Sequence, residues 1–226
     1  MPISPLPPEP PAGAIAWLWR DAPVPAFSRA TVAVVDRHIW LAGDEVLVRP
    51  GARPRLLARG TRVIPAVIPV VHVEIDPLHP PAGLQAARTT VLAAMRGAAR
   101  ASTSGWVQLD LEARPSQRAD YRDLVHRIRA ALPGDMRLSV TALGWWCRAP
   151  AWLDGLEADE VVPMFFRMDR DNEALRDVVA MRPEVLHPLC RAGSAGFSRQ
   201  EAFPPAVAAR YRRTFWFDER GWRDSK

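Results

Sequence analysis

Two carboxylates two residues apart, Asp110 and Glu112, close the stretch WVQLDLE. Val107, Leu109 and Leu111 alternate with Gln108, Asp110 and Glu112, which is the pattern of a strand with one apolar face. Two residues along a strand span about 6.6 Å. At that spacing one carboxylate can stay ionised while its charge, together with burial, raises the pKa of the other, which can then serve as general acid. Glycoside hydrolysis needs such a division of labour. Asp110 and Glu112 are therefore the candidate catalytic residues.

The stretch VVHVEID repeats the pattern. Val71, Val73 and Ile75 share one face, and His72, Glu74 and Asp76 share the other. Their spacing matches no metal-ligand signature, so no metal is expected and His72 reads as a hydrogen-bonded interior histidine. Glu74 and Asp76 are candidate ligand-binding residues facing the same cavity as Asp110. Nine tryptophans are present, and Trp19, Trp145, Trp146 and Trp216 fall at or just past expected strand ends, where an indole can stack on a sugar ring; Trp19, Trp145 and Trp216 are the candidate ligand contacts. Arg167, in PMFFRMDRD, can bind an anionic or hydroxyl-rich ligand or pair with Asp110.

The elements that must position these residues alternate strand with helix. Strands are expected at Ala14–Trp19, Thr31–Val35, Arg62–Asp76, Trp106–Leu111, Arg137–Leu143, Glu160–Phe166, Val185–Leu189 and Arg213–Phe217. His38–Leu41 and Glu45–Val48 form an added hairpin after the second strand. Helices are expected over Pro81–Arg100, Gln117–Leu132, Pro150–Leu156 and Asp171–Met181. Eight strands with interleaved helices predict an α/β fold of the (β/α)8 TIM type, with the catalytic rim at the carboxyl ends of the strands. A doubly wound sheet is the alternative, but RDAPVPAF after the first strand is no glycine-rich phosphate loop. Residues 1–13 read as a flexible proline-rich arm and 14–226 as a single barrel domain.

Composition narrows the function. The chain of 226 residues carries a net charge of +5. Its cations are arginines apart from Lys226, and they are scattered rather than gathered in a stripe. No nucleic-acid partner is expected. The longest apolar run, Val63–Val73, is broken by Pro65 and Pro69 and is too short to span a bilayer. The N-terminus lacks the regions of a secretory signal. The chain as written is expected to be cytoplasmic, or periplasmic or exported if its N-terminus is truncated. With no Gly-x-Ser-x-Gly elbow and no Walker loop, no cofactor is expected. The expected partner is a carbohydrate or another small molecule. Two other classes remain beside an enzyme: a non-catalytic barrel binding a saccharide or other cell-envelope ligand, and a basic protein binding anionic polymers. Cys147 and Cys190 form no close pair in sequence, and both a disulfide and two core thiols are open.

Three stretches together resemble a bacterial family, the domain-of-unknown-function family numbered 3142: VQLDLEARPSQRADYRDLVHRIRAALP, LSVTALGWWCRAPAWLDGLEADEVVPMFFRMDRD and PLCRAGSAGFSRQEAF. The shared pattern runs through Asp110 with Glu112, Thr141 to Cys147, Pro163 to Met168, and Cys190-Arg191. The resemblance covers residues 105–220 well and the first half loosely. It implies a glycosidase-like barrel and transfers no proven catalytic residue. Glu112 stands where an aspartate is more usual. The resemblance also implies that Cys147 and Cys190 are neighbours near the rim, able to form a disulfide in an oxidising compartment.

Overall fold

A computed structural model describes residues 10–11, 13–53, 64–167, 172–201 and 203–218. The expected N-terminal arm and the first residues of the expected third strand fall largely outside them. Nine strands are described: β1 (Ile15–Leu18), β2 (Thr31–Ala42), β3 (Glu45–Pro50), β4 (Ala66–Ile75), β5 (Trp106–Leu111), β6 (Arg137–Leu143), β7 (Glu160–Met164), β8 (Ser194–Ser198) and β9 (Arg213–Phe217). All but β3 pair in parallel, in the order β1-β2-β4-β5-β6-β7-β8-β9, and β9 returns to β1. The result is a closed, eight-stranded, all-parallel barrel of the α/β class. Only β3 runs antiparallel, along the distal half of β2.

The apolar alternation decides which way each strand faces. Val107, Leu109 and Leu111 of β5, with Val71 and Val73 of β4, lie in the outer apolar layer, where they pack with residues of the helices α1 (Gln85–Ala101) and α2 (Arg118–Ala131). Those helices present Ala87, Val91 and Met95, and Tyr121, Leu124, Val125 and Ile128, at helical spacing. A second cluster fills the barrel interior: Trp17, Val35, Ile68, Val70, Val162, Met164, Phe215 and Phe217 among others. Beneath the mouth, a polar layer crosses the floor. The Ser139 and Ser194 hydroxyls donate to Glu160, Gln108 donates to Ser139, and Arg213 pairs with Glu160 at 3.0 Å.

The described residues hold four α-helices, the others being α3 (Asn172–Met181) and α4 (Pro205–Ala208), fewer than eight repeats would carry. The connection from β6 to β7 is built of 3-10 turns at Gly144–Arg148 and Pro150–Trp152, where a helix was expected over Pro150–Leu156. Trp146 and Trp152 stack there, 4.1 Å between centroids, and shield the outer face that a helix would otherwise cover.

Two strand expectations are corrected. Val185–Leu189 is not a strand: Pro183 and Pro188 each open a 3-10 turn. The strand at that place in the barrel is Ser194–Ser198, a run of small residues with weak strand propensity. Smallness is what the interior requires there, since a Cβ on Gly196 would come within 2.9 Å of the Phe217 ring. Secondly, Thr31–Val35 and His38–Leu41 are one continuous strand, not a barrel strand followed by a separate hairpin arm.

Candidate functional site

The junction inside β2 builds the site. Its register against β4 shifts between Val35 and Arg37, so that Asp36 is an extra residue. A bulge of this kind re-aims every side chain after it. Val35 faces the interior; strict alternation would then send Arg37 inward and His38 outward. The bulge reverses this. Arg37 is exposed, Ile39 and Leu41 join the outer apolar layer, and His38 turns to the barrel side. The chain after β3 is tied back by Gly51 N–H donating to the Asp36 carbonyl (2.9 Å) and Ala52 N–H to that of Val35 (2.7 Å). A Cβ at Gly51 would lie 1.9 Å from the Val35 oxygen, so only glycine permits this approach.

Lateral register then sets a row of side chains across four strands. Arg49 of β3 lies opposite His38 of β2, His38 opposite His72 of β4, and His72 opposite Asp110 of β5. The contacts follow. His72 Nδ1 is 2.7 Å from Asp110 Oδ2, and the Thr141 hydroxyl donates to Asp110 Oδ1 at 2.6 Å. The His38 and His72 rings meet edge to face, 5.5 Å apart. Trp19, just past β1, stands edge-on to His72 at 4.9 Å and stacks on His38 at 6.4 Å. A second row, one step nearer the mouth, runs Leu47, Trp40, Glu74. Glu74 Oε2 is 4.0 Å from His72 Nε2. The rows wall a cavity of about 620 Å3 between the barrel mouth and the hairpin, with Trp19, Trp40, Leu47, His72, Glu74 and Arg49 in its lining.

Asp110 and Glu112 have parted company. Asp110 is buried, only 4% exposed, and both its oxygens are engaged. Glu112, just beyond the end of β5, makes no hydrogen bond among the described residues and its residue surface reaches solvent. Although the residue is exposed, neighbouring protein costs its carboxylate part of its hydration. That loss of hydration, then the charge of Asp110, raises its pKa above the ordinary 4.5, against the opposing pull of His72 and Arg167. For His72, burial disfavours the charged ring. The hydrogen bond to Asp110 and the charges of Asp110, Glu74 and Glu112 outweigh it, and the pKa lies above the ordinary 6.5. His38 is moved the other way, by burial first and by His72 next. The mouth thus holds two imidazoles whose basicities are pushed apart, an arrangement that suits one to hold a proton and the other to accept one.

Arg167 follows β7 with φ at 51°, in the left-handed region that a non-glycine residue enters at a cost of about 1–2 kcal/mol. Its N–H donates to Glu201 Oε1 at 2.9 Å, and Glu201 is also ion-paired with Arg176, which fixes the turn. Its guanidinium reaches the electrostatic neighbourhood of Glu112. It does not pair with Asp110, whose partners are His72 and Thr141.

Of the residues singled out in the sequence, Asp110, Glu112, Glu74, Arg167 and Trp19 come together at the mouth. Asp76 does not join them: its carboxylate accepts from Leu78 N–H at 2.9 Å and meets His79 Nδ1 at 3.2 Å, shaping the turn after β4. Its pKa is lowered, by the Leu78 bond first. Trp145 packs in the outer layer against Trp146 and Trp152. Trp216 lies on the outer face of β9 against Phe197, and its Nε1 donates to Thr214. Cys147 and Cys190 are joined in a disulfide, their Cα atoms 5.9 Å apart, in that same outer layer rather than at the cavity. Four site residues were not singled out as such: His38, because the bulge is invisible to alternation; Trp40 and Arg49, because they lie in the hairpin that no signal tied to the mouth; and Thr141, which entered only as part of a longer motif. Among the described residues no group of three His, Cys, Asp or Glu side chains could hold a metal ion, and no helix is long and apolar enough to cross a membrane.

Comparison with known proteins assigns no family. A scan of family models, a search of curated proteins and a search of solved structures each found no match to this chain.

Proposed function

We propose that the barrel mouth hydrolyses glycosides, in a barrel of the TIM type related to the family that the sequence motifs resemble. The observation that carries this reading is the split fate of two carboxylates two residues apart. Asp110 is committed to His72 and Thr141, while Glu112 stands without a hydrogen bond at the mouth with its proton held more tightly than an ordinary glutamic acid's. A carboxyl that keeps its proton more readily than usual, close to His72 in the wall of an indole-lined cavity, suits the departure of a sugar. The glycosidic C–O bond breaks and its electron pair stays on the leaving oxygen, which takes the Glu112 proton. Water supplies the hydroxyl to the anomeric carbon. Glu74, in the cavity wall, takes the released proton or stabilises the positive charge on the sugar. Asp110 keeps His72 oriented, with Nε2 toward Glu74. Trp19 and Trp40 provide apolar faces for the ring.

The test is turnover on a panel of aryl glycosides. Wild-type hydrolysis that Glu112→Gln abolishes, with binding retained, supports the reading. Since Glu112 must be protonated to act, kcat/KM should fall as pH rises through its raised pKa, and an alkaline limb insensitive to Glu112→Asp would contradict that role. Saccharide binding without turnover would instead make this a non-catalytic barrel. Salt-sensitive binding of anionic polymers with no preference among sugars would make it an electrostatic binder.

A further inference from the structure

The row that crosses the cavity has opposite charge at its two ends. Asp110 closes it at the barrel side, where Glu74 and Glu112 also gather. Arg49 closes it under the hairpin. Arg49 is exposed, lines the cavity, and makes no ion pair among the described residues. Arg20 lines the same cavity, as does Asp21, whose carboxylate accepts from the Arg53 N–H. Between the ends lie rings that offer stacking and neutral hydrogen bonds: Trp19, His38 and Trp40.

We infer that the hairpin end of the cavity is a subsite for an anionic group, and that the ligand is an acidic saccharide whose carboxylate or ester anion is bound by Arg49. This rests on the glycoside reading of the mouth. Three strand spacings separate β5 from β3, so Arg49 stands up to about 14 Å from Asp110 along the sheet. The anion therefore belongs to a sugar neighbouring the one that reacts. A guanidinium suits this task because its planar fork meets a carboxylate through two N–H groups at once. The carboxylates at the barrel end repel the same anion, which fixes the direction in which the chain lies. Residues Pro50 to Ala52, closed against β2 through Gly51, hold Arg49 in place.

The experiment compares oligoglucuronates with neutral cello-oligosaccharides of equal length, by calorimetry and by reducing-end release, in wild type, Arg49→Ala and Arg49→Lys. Wild type should favour the uronate. Arg49→Ala should lose at least about tenfold of that preference, the value of one charged hydrogen bond, and Arg49→Lys should restore part of it. A far-UV spectrum matching wild type shows that the variants fold. Turnover of the neutral oligosaccharide that needs Glu112, with a uronate-to-neutral ratio untouched by Arg49→Ala, overturns the subsite and leaves the glycoside reading standing. Uronate binding lost in Arg49→Ala without hydrolysis of either sugar supports the subsite and overturns catalysis. No binding of either saccharide to wild type overturns both.

Discussion

Replacing Asp110 by asparagine keeps the shape of the side chain and removes its charge. In the wild type the carboxylate accepts from Thr141 at 2.6 Å and holds His72 Nδ1 at 2.7 Å, both inside the barrel. A hydrogen bond to a charged group contributes about 1.5–3 kcal/mol and a neutral one about 0.5–1.5 kcal/mol. Turning two charged bonds into neutral ones should therefore destabilise the fold by about 2–3 kcal/mol. The loss depends on pH, in a direction the structure fixes. The His72 pKa in the folded protein lies above the ordinary 6.5, so the stability it contributes is fully present below 6.5 and is lost as pH rises through the folded value. Asp110→Asn removes that contribution. Urea denaturation of both proteins, at about pH 5.5 and again at about pH 8.5, should show the stability gap narrowing at the higher pH. A gap of the same size at both would refute a proton held on His72 by Asp110.

Two other perturbations probe the scaffold. The Cys147–Cys190 disulfide spans a sequence separation of 43, for which loop-closure entropy gives a contribution of about 4 kcal/mol; Cys147→Ser with Cys190→Ser should lower the thermal midpoint markedly, and an unchanged midpoint would contradict it. Gly51→Ala would drive a Cβ to 1.9 Å from the Val35 oxygen, so it should cost about 1–3 kcal/mol and weaken ligand binding under the hairpin, and a variant matching wild type in both would refute the close approach.

How far the sequence reveals this molecule depends on which physical signal each part leaves. Strands that face an apolar helix layer on one side and a polar interior on the other leave a clean alternation. Asp110, His72 and Glu74 were accordingly placed on the interior side from Val107, Leu109, Val71 and Val73 alone, and the structure agrees. Glu112 lies just past the last paired residue of β5, where alternation no longer fixes its direction, and it is exposed. β8 leaves no such trace, because its interior position must be vacant enough to admit Phe217, and Ser-Ala-Gly-Phe-Ser reads as a turn. His38 is the sharpest loss. One inserted residue at Asp36 inverts the pattern for the rest of β2, and the information that it does so lies in pairing with β4, not in β2 itself. Asp76, Trp145 and Trp216 were read as ligand contacts from residue type and position near strand ends. Type does not separate a carboxylate that shapes a turn, or an indole that fills the outer layer, from one that meets a ligand.

A closed barrel has no free strand edge; the hairpin brings one back, since among the described residues β3 is paired on only one side. An open edge invites another chain to add a strand, and proteins commonly blunt it with charge and proline. β3 begins with Glu45 and ends in Arg49-Pro50, while Leu47 and Val48 between them are exposed. Arg49 therefore stands guard over the edge as well as at the end of the cavity. A chain that lost this arginine should self-associate more readily through its own hairpin, so that solubility and the anion subsite proposed above would depend on the same side chain.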